Sequence, residues 1–406
     1  MRTVIEQNNI KDEILKERLE LAGQIMHKHD GEAWMILSRE YNEDPMFHAL
    51  TPSLFPTARR VTILVLSQKD GVCTNYCVNM HDDELEKFYI QDFKLNEEEQ
   101  MVALERVLRR INPNKIAINI SDHYAYTDGH SVGLYRKLCN ELPSDLVSKF
   151  ISSDTIGMEF LEARTPLEKK YYPEVMNVAI EIIEKTFSNE VIEIGKTTCN
   201  DLVNYMVQEV NNRGIVCWFT PTIDLQRKGG RYDGNTVIER SDLLHCDFGI
   251  TYLNICTDTQ RLCYVLKENE NCLPEELANA MKRNNHFQDI VRSHMKIGRT
   301  GNEVFEASVN QAKEEGLKVM LYTHPCGFHG HGAGPDFGLY SNQGPLPFAG
   351  ELEVHNNTSF ALELNTCEYL DMYEMDTYLF TEETVILVND EVHFIASGRE
   401  NIYVLD

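Results

Sequence analysis

Over the first 150 residues, short apolar runs alternate with stretches of helical periodicity. "AWMILS" (33–38), "VTILVLS" (61–67) and "KIAINI" (115–120) are brief, continuous and rich in β-branched residues, the pattern of buried strands. "IKDEILKERLELAGQIM" (10–26) and "NEEEQMVALERVLRRI" (96–111) repeat apolar positions at helical spacing, with acidic starts and basic ends. The pattern predicts an α/β domain with a central sheet over residues 1–155. No glycine-rich phosphate loop follows any of these strands, so none is expected to carry a nucleotide site. "SSDTIGMEFLEARTPLEKKYYPE" (152–174) is polar and punctuated by prolines. It is the expected boundary, with a second domain over 165–406.

That second domain contains a repeat. "IEIGKTTCNDLVNYMVQEVNNRGI" (192–215) and "MKIGRTGNEVFEASVNQAKEEGL" (295–317) both open on Ile-Gly-basic-Thr, continue as amphipathic helices and stop at a glycine. Gly195 and Gly298 lie 103 positions apart, and Gly214 and Gly316 lie 102 apart. Each unit follows another helical stretch, "YYPEVMNVAIEIIEKTF" or "LPEELANAMKRNNHFQDIVRSH", and precedes strand-like runs. A period near one hundred residues is too long for a solenoid. It predicts one α+β domain with internal pseudo-twofold symmetry.

Composition narrows the function. A chain of 406 residues, 42% hydrophobic and 25% charged, has ample core for two domains. No apolar run approaches the length of a membrane span. The opening "MRTVIEQNNIKDEILKERLE" is too polar for a secretory leader. The net charge of −26 argues against nucleic acid as a partner. Eleven cysteines without regular spacing read as reduced thiols, consistent with a cytoplasmic protein.

Acidic residues inside apolar strands are the candidate chemistry, because a buried carboxylate is costly unless paired or metal-bound. "LLHCDFGITYLNICTDTQRLCYVL" (243–266) sets Asp247 and Asp258 eleven residues apart on two strand-like runs, which a hairpin would bring to one face. The second half supplies Glu363 in "TSFALELNT" and Glu382 or Glu383 in "LFTEETVILV". Between them lies "THPCGFHGHGAGP" (323–335), which could add an imidazole. Two symmetric halves offering two carboxylates each, plus one nitrogen, suit Mn²⁺, Co²⁺ or Zn²⁺. Two ions would cancel the mutual repulsion of such a cluster, and paired ions of this kind activate water for hydrolysis.

In this order, Asp, ten residues, Asp, then His-Gly-x-Gly, then Glu, then Glu-x-Thr, the sequence resembles the pita-bread metallohydrolases, peptidase family M24. The extra N-terminal α/β domain resembles that of the aminopeptidase P, prolidase and creatinase branch. The resemblance implies metal ligands Asp247, Asp258, His331, Glu363 and Glu382 for two divalent ions, Mn²⁺ foremost with Co²⁺ or Zn²⁺ as alternatives. "GHGAG" selects His331 as the histidine ligand. Glu363 would also take a proton from the attacking water, while His324 and His329 would stand beside the metals or on the substrate. Asp258 and Glu382 would span both ions.

The implied activity is hydrolysis of short peptides, as an Xaa-Pro aminopeptidase or dipeptidase, with no membrane partner and a homodimer as one assembly. A creatinase-type C–N hydrolase and a catalytically weakened binding protein are the alternatives. The sequence departs from the family in its substrate shell. Seven residues beyond His331, where the family carries a second histidine, stands Gly338; His324, His329 and Tyr340 are the candidate replacements, with His329 favoured. Phe380 stands where the proline-cleaving branch has arginine, and Leu364 where the family has proline. No histidine precedes Asp247 at the expected distance, His245 being too close.

Overall fold

The apolar runs form β1 (Ala33–Arg39) and β2 (Val61–Lys69); β3 (Val72–Val78), β4 (Ile90–Gln91), β5 (Ile116–Ile118) and β6 (Phe150–Ser152) complete six strands ordered β4-β3-β2-β1-β5-β6. Asp70 (φ 53°) and Gly71 (φ 80°) make the tight β2–β3 hairpin turn with two left-handed residues. Helix α1 (Val4–Lys28) starts at a Thr3–Glu6 capping box and lies against β2 and β3. Helix α2 (Gln100–Ile111) buries Leu104, Val107 and Leu108 against Met35, Leu37 and Val65 of the sheet.

The computed structural model describes all 406 residues. It divides into two units, Met1–Leu161 with Thr165–Glu168, and Glu162–Arg164 with Lys169–Asp406. No helix is long and apolar enough to cross a membrane, and all eleven cysteines are free thiols.

The second unit carries the repeat. After helix α3 (Pro166–Thr186), helices α4 (Cys199–Asn212) and α6 (Gly301–Glu314) have 14 residues each, and α5 (Glu275–His294) precedes α6. Both repeat helices begin with a capping box, Thr198 with Asp201 and Thr300 with Glu303. Gly195 and Gly298 both adopt φ 82°. Their amides donate to equivalent carbonyls, Ile238 at 2.8 Å and Val354 at 2.9 Å. The expected symmetry is therefore present down to single hydrogen bonds.

The ten strands of this unit's main sheet are β7 (Thr222–Arg227), β8 (Gly230–Asp233), β9 (Leu243–Phe248), β10 (Thr259–Val265), β11 (Val319–Leu321), β12 (His324–Pro325), β13 (Ser359–Leu370), β14 (Met375–Val388), β15 (Glu391–Phe394) and β16 (Tyr403–Leu405), and a separate small sheet joins Val216–Cys217, Ile250–Tyr252 and Ile255–Cys256. Seven lie in the order β11-β13-β14-β10-β9-β7-β8, with β12 on β13, β15 on β14 and β16 on β10. The hairpin β9–β10 of the first half meets the hairpin β13–β14 of the second at the β10–β14 pair. The carboxylate-bearing strands of both halves thus sit side by side.

Candidate metal centre

Strand alternation and register gather the acidic residues. Asp247 on β9 pairs with Gln260 on β10, Gln260 with Glu382 on β14, and Glu382 with Glu363 on β13. Side chains two apart on a strand share a face, so this row projects to one side of the sheet. Asp258 directly precedes β10, where Thr384 accepts from its amide (3.2 Å) and donates to its carbonyl (2.7 Å). Glu383, the alternative to Glu382, points to the opposite face and is paired with buried Arg261 at 2.7 and 2.9 Å.

Burial raises the proton affinity of all four carboxyl groups, and neighbours within the cluster raise three of them further. Burial and then the charge of Asp247 push Glu363 up to about 8. Burial raises Asp247 to about 6, with Asp224 adding and His245 opposing. Asp258 and Glu382 are driven well above the carboxylate range by burial first and then by their acidic neighbours. Oδ1 of Asp258 and both carboxylate oxygens of Glu382 are buried without a hydrogen-bond partner. Orphaned, mutually repelling oxygens beside an imidazole fit a divalent cation.

His324 is the histidine set against this cluster. Its Nδ1 lies 2.9 Å from the Pro325 carbonyl oxygen, and its Nε2 lies 3.5 Å from Asp258 and 3.8 Å from Glu382. Donor atoms of Asp258, His324 and Glu382 all lie within 4.8 Å of one another. Burial, aided by His331, lowers His324 to about 3, so its ring is neutral and Nε2 offers a lone pair. The expected ligand, His331, is instead exposed, with its ring 4.6 Å from that of His324 and 5.1 Å from that of Trp218. Main-chain pairing makes the difference: His324 is tied to β13 opposite Ala361, whereas His331 lies beyond β12 in the glycine-rich loop.

Seven positions beyond His324 stands His331, the spacing at which Gly338 follows His331. Gly338 (φ 75°) could not bear a histidine, since a Cβ there would overlap the Leu321 carbonyl and the Phe305 ring. Gly330 is glycine for a related reason: the Trp218 indole occupies the space of its Cβ. His329 packs edge-on against Phe328 at 5.1 Å. Tyr340 is exposed and meets Tyr322 at 5.4 Å.

Three further polar residues join the site. His245, Asp224 and Gln260 are buried and hydrogen-bonded to one another on the carboxylate face. His245 could have been found from its two-residue spacing to Asp247. Asp224 and Gln260 carry no such signal. At Phe380 the guanidinium of Arg231, from β8, lies 4.3 Å over the ring. That cation comes from the far edge of the sheet, three strands beyond β14's neighbour. Leu364 is buried in the core.

The model of "Metallopeptidase family M24" matches residues 174–387. The chain belongs to metallopeptidase family M24. The fold agrees along nearly its whole length. The X-Pro aminopeptidase of Thermotoga maritima superposes with a TM-score of 0.67 at 17% identity, covering 92% of this chain and 97% of that one. The Xaa-Pro dipeptidase of Bacillus anthracis gives 0.66 at 14% identity, covering 96% and 100%. The N-terminal domain of the FACT complex subunit SPT16 from chickpea gives 0.62 at 12%, covering 97% and 99%. No curated protein matches. The architecture is therefore the α/β plus pita-bread arrangement of M24 proteins. M24 metallopeptidases use divalent metals, and this M24 chain holds a buried cluster suited to them.

Proposed function

We propose that this M24 protein is a dinuclear metal-dependent peptidase that hydrolyses short peptides, with Xaa-Pro bonds the first to test. The observation that carries the reading is the set of orphaned carboxylate oxygens of Asp258 and Glu382, flanked by Asp247, Glu363 and His324. These five side chains are the ligands we assign, with Mn²⁺ foremost and Co²⁺ or Zn²⁺ as alternatives. Two such ions supply charge neutralisation and water activation when bound. Glu363, set beside Glu382 by strand register, accepts the proton of the attacking water. His331, exposed beside His324, donates to the substrate carbonyl as negative charge develops there. The two bacterial neighbours, an X-Pro aminopeptidase and an Xaa-Pro dipeptidase, support the Xaa-Pro choice. A cytoplasmic location and a homodimeric assembly complete the proposal.

The chickpea domain favours a second reading, a binding protein on the same scaffold, because it belongs to a subunit of the FACT complex. Metal content and turnover separate the two. Protein loaded with Mn²⁺ or Co²⁺ and then desalted is expected to retain about two ions per chain and to cleave members of a panel of Xaa-Pro and other short peptides. Retained metal without cleavage of any peptide favours the binding reading. Consistent absence of metal overturns the peptidase.

A further inference from the structure

Glu363 stands at the end of a hydrogen-bonded row that crosses the sheet. Arg231 donates through Nε and Nη2 to Asp224 at 2.7 and 2.6 Å. Asp224 Oδ2 lies 2.8 Å from His245 Nδ1, and His245 Nε2 lies 3.0 Å from Gln260 Oε1. Gln260 Nε2 then donates to Glu363 Oε1 at 2.5 Å. Asp224, His245 and Gln260 are only 3%, 4% and 3% exposed.

The donors and acceptors in this row leave one arrangement for an ionised Glu363. Arg231 can only donate. Burial disfavours the charge on Asp224, but hydrogen bonds from His245 and Arg231 outweigh it and hold that carboxyl at about 2, so Asp224 only accepts. With its NH₂ group turned to Glu363, Gln260 shows its oxygen to His245. Both ring nitrogens of His245 thus face oxygens, Asp224 Oδ2 on one side and Gln260 Oε1 on the other. The amide of Gln260 is fixed by what lies behind it, and the position of Glu363 Oε1 is fixed by the amide.

We propose that Asp224, His245 and Gln260 are positioning residues that engage Oε1 of Glu363 and leave Oε2 for the metal centre and the attacking water. A row that merely satisfied buried polar groups would not need to end on a carboxylate of the cluster. Residues behind a metal ligand set its orientation, and losing one typically costs about 10–100-fold in metal affinity or activity.

The inference rests on the dinuclear peptidase reading, and Co²⁺ serves as the probe for both. Gln260→Met keeps the side chain's length and removes both hydrogen bonds; Asp224→Asn weakens the row at a residue that touches no ligand. In Co²⁺-loaded protein, Gln260→Met is expected to keep two ions per chain at saturating metal and to change the visible d–d absorption envelope. On an Xaa-Pro dipeptide its kcat should fall roughly tenfold or more, with KM within about twofold, since an interaction realised in the transition state is lost. Asp224→Asn should change the spectrum in the same direction by less, with a lowered melting temperature but a retained cooperative transition. It also decides the matter if Gln260→Met fails to fold. Wild-type protein that binds Co²⁺, with variant spectra superimposable on it, overturns the row alone. Wild-type protein that binds no Co²⁺ overturns the peptidase reading and the row together.

Discussion

His324, tied by its backbone to β13, faces Asp258 and Glu382, while His331 seven residues on lies against its ring. The two histidines should therefore fail differently when removed. His324→Ala is expected to lose one of two bound ions, because a nitrogen donor leaves a site otherwise made of carboxylates. His331→Ala should keep its metal and slow turnover by about 10²–10³-fold, the usual cost of one donor to a developing oxyanion. His329→Ala should stay close to wild type. Metal analysis beside steady-state kinetics on the three variants checks this. Loss of metal in His331→Ala, with full retention in His324→Ala, would return the ligand to His331.

Among the elements, the repeat helices α4 and α6 show what a sequence pattern can carry. Gly195 and Gly298 precede their capping boxes at φ 82°, and no atom lies within 4 Å of a Cβ built on either. Only backbone strain opposes a side chain there. Gly195→Ala and Gly298→Ala should each cost about 1–2 kcal/mol, the left-handed penalty of an L-residue. The sites lie in different halves of the repeat, so the double variant should be nearly additive. Denaturant unfolding with unchanged m-values measures it. A double variant as stable as wild type would mean that these turns relax without cost. Other elements were less readable. β3 begins with exposed Val72 and alternates into polar residues, and β4 and β6 are two and three residues long. Each lacks the continuous apolar run that announces β1, β2 and β5. Helix α3 opens on Pro166, where a missing amide hydrogen costs nothing, and runs through Pro173, later than a proline is expected.

For the whole molecule, the carboxylate cluster couples stability to protons and metal. In the metal-free chain Asp247 titrates at about 6 and Glu363 at about 8, above their ordinary values of 3.8 and 4.5. Folded protein then binds more protons than unfolded protein across that window. Stability consequently falls as pH rises from the ordinary carboxylate range through about 8. The melting temperature of chelated protein should drop between about pH 5 and about pH 8, where Mn²⁺-loaded protein should hold nearly level because cations replace the protons. Asp258→Asn should reduce the drop by removing one charge. Scanning calorimetry over that range with and without chelator provides the measurement. Parallel curves, with metal shown to be lost, would mean that the carboxylates do not face one another.

The buried acidic cluster, the two-half architecture and the family resemblance were readable in the sequence because each is a local anomaly or a local repetition. A carboxylate among leucines and valines is costly enough to mark itself, and Ile-Gly-basic-Thr before an amphipathic helix is visible twice. Alternation along a single strand is local too, and it puts Glu382 and Glu383 on opposite faces once the strand is known. The choice among His324, His329 and His331 was not local. It depends on which residue of the loop is hydrogen-bonded to β13, some forty positions away in sequence. The row from Asp224 to Glu363 is more remote still, joining residues 21, 15 and 103 positions apart. Glutamine and histidine at such separations leave no pattern in a sequence. Cross-strand register alone brings them within hydrogen-bonding distance, and register is settled by burial of the whole sheet.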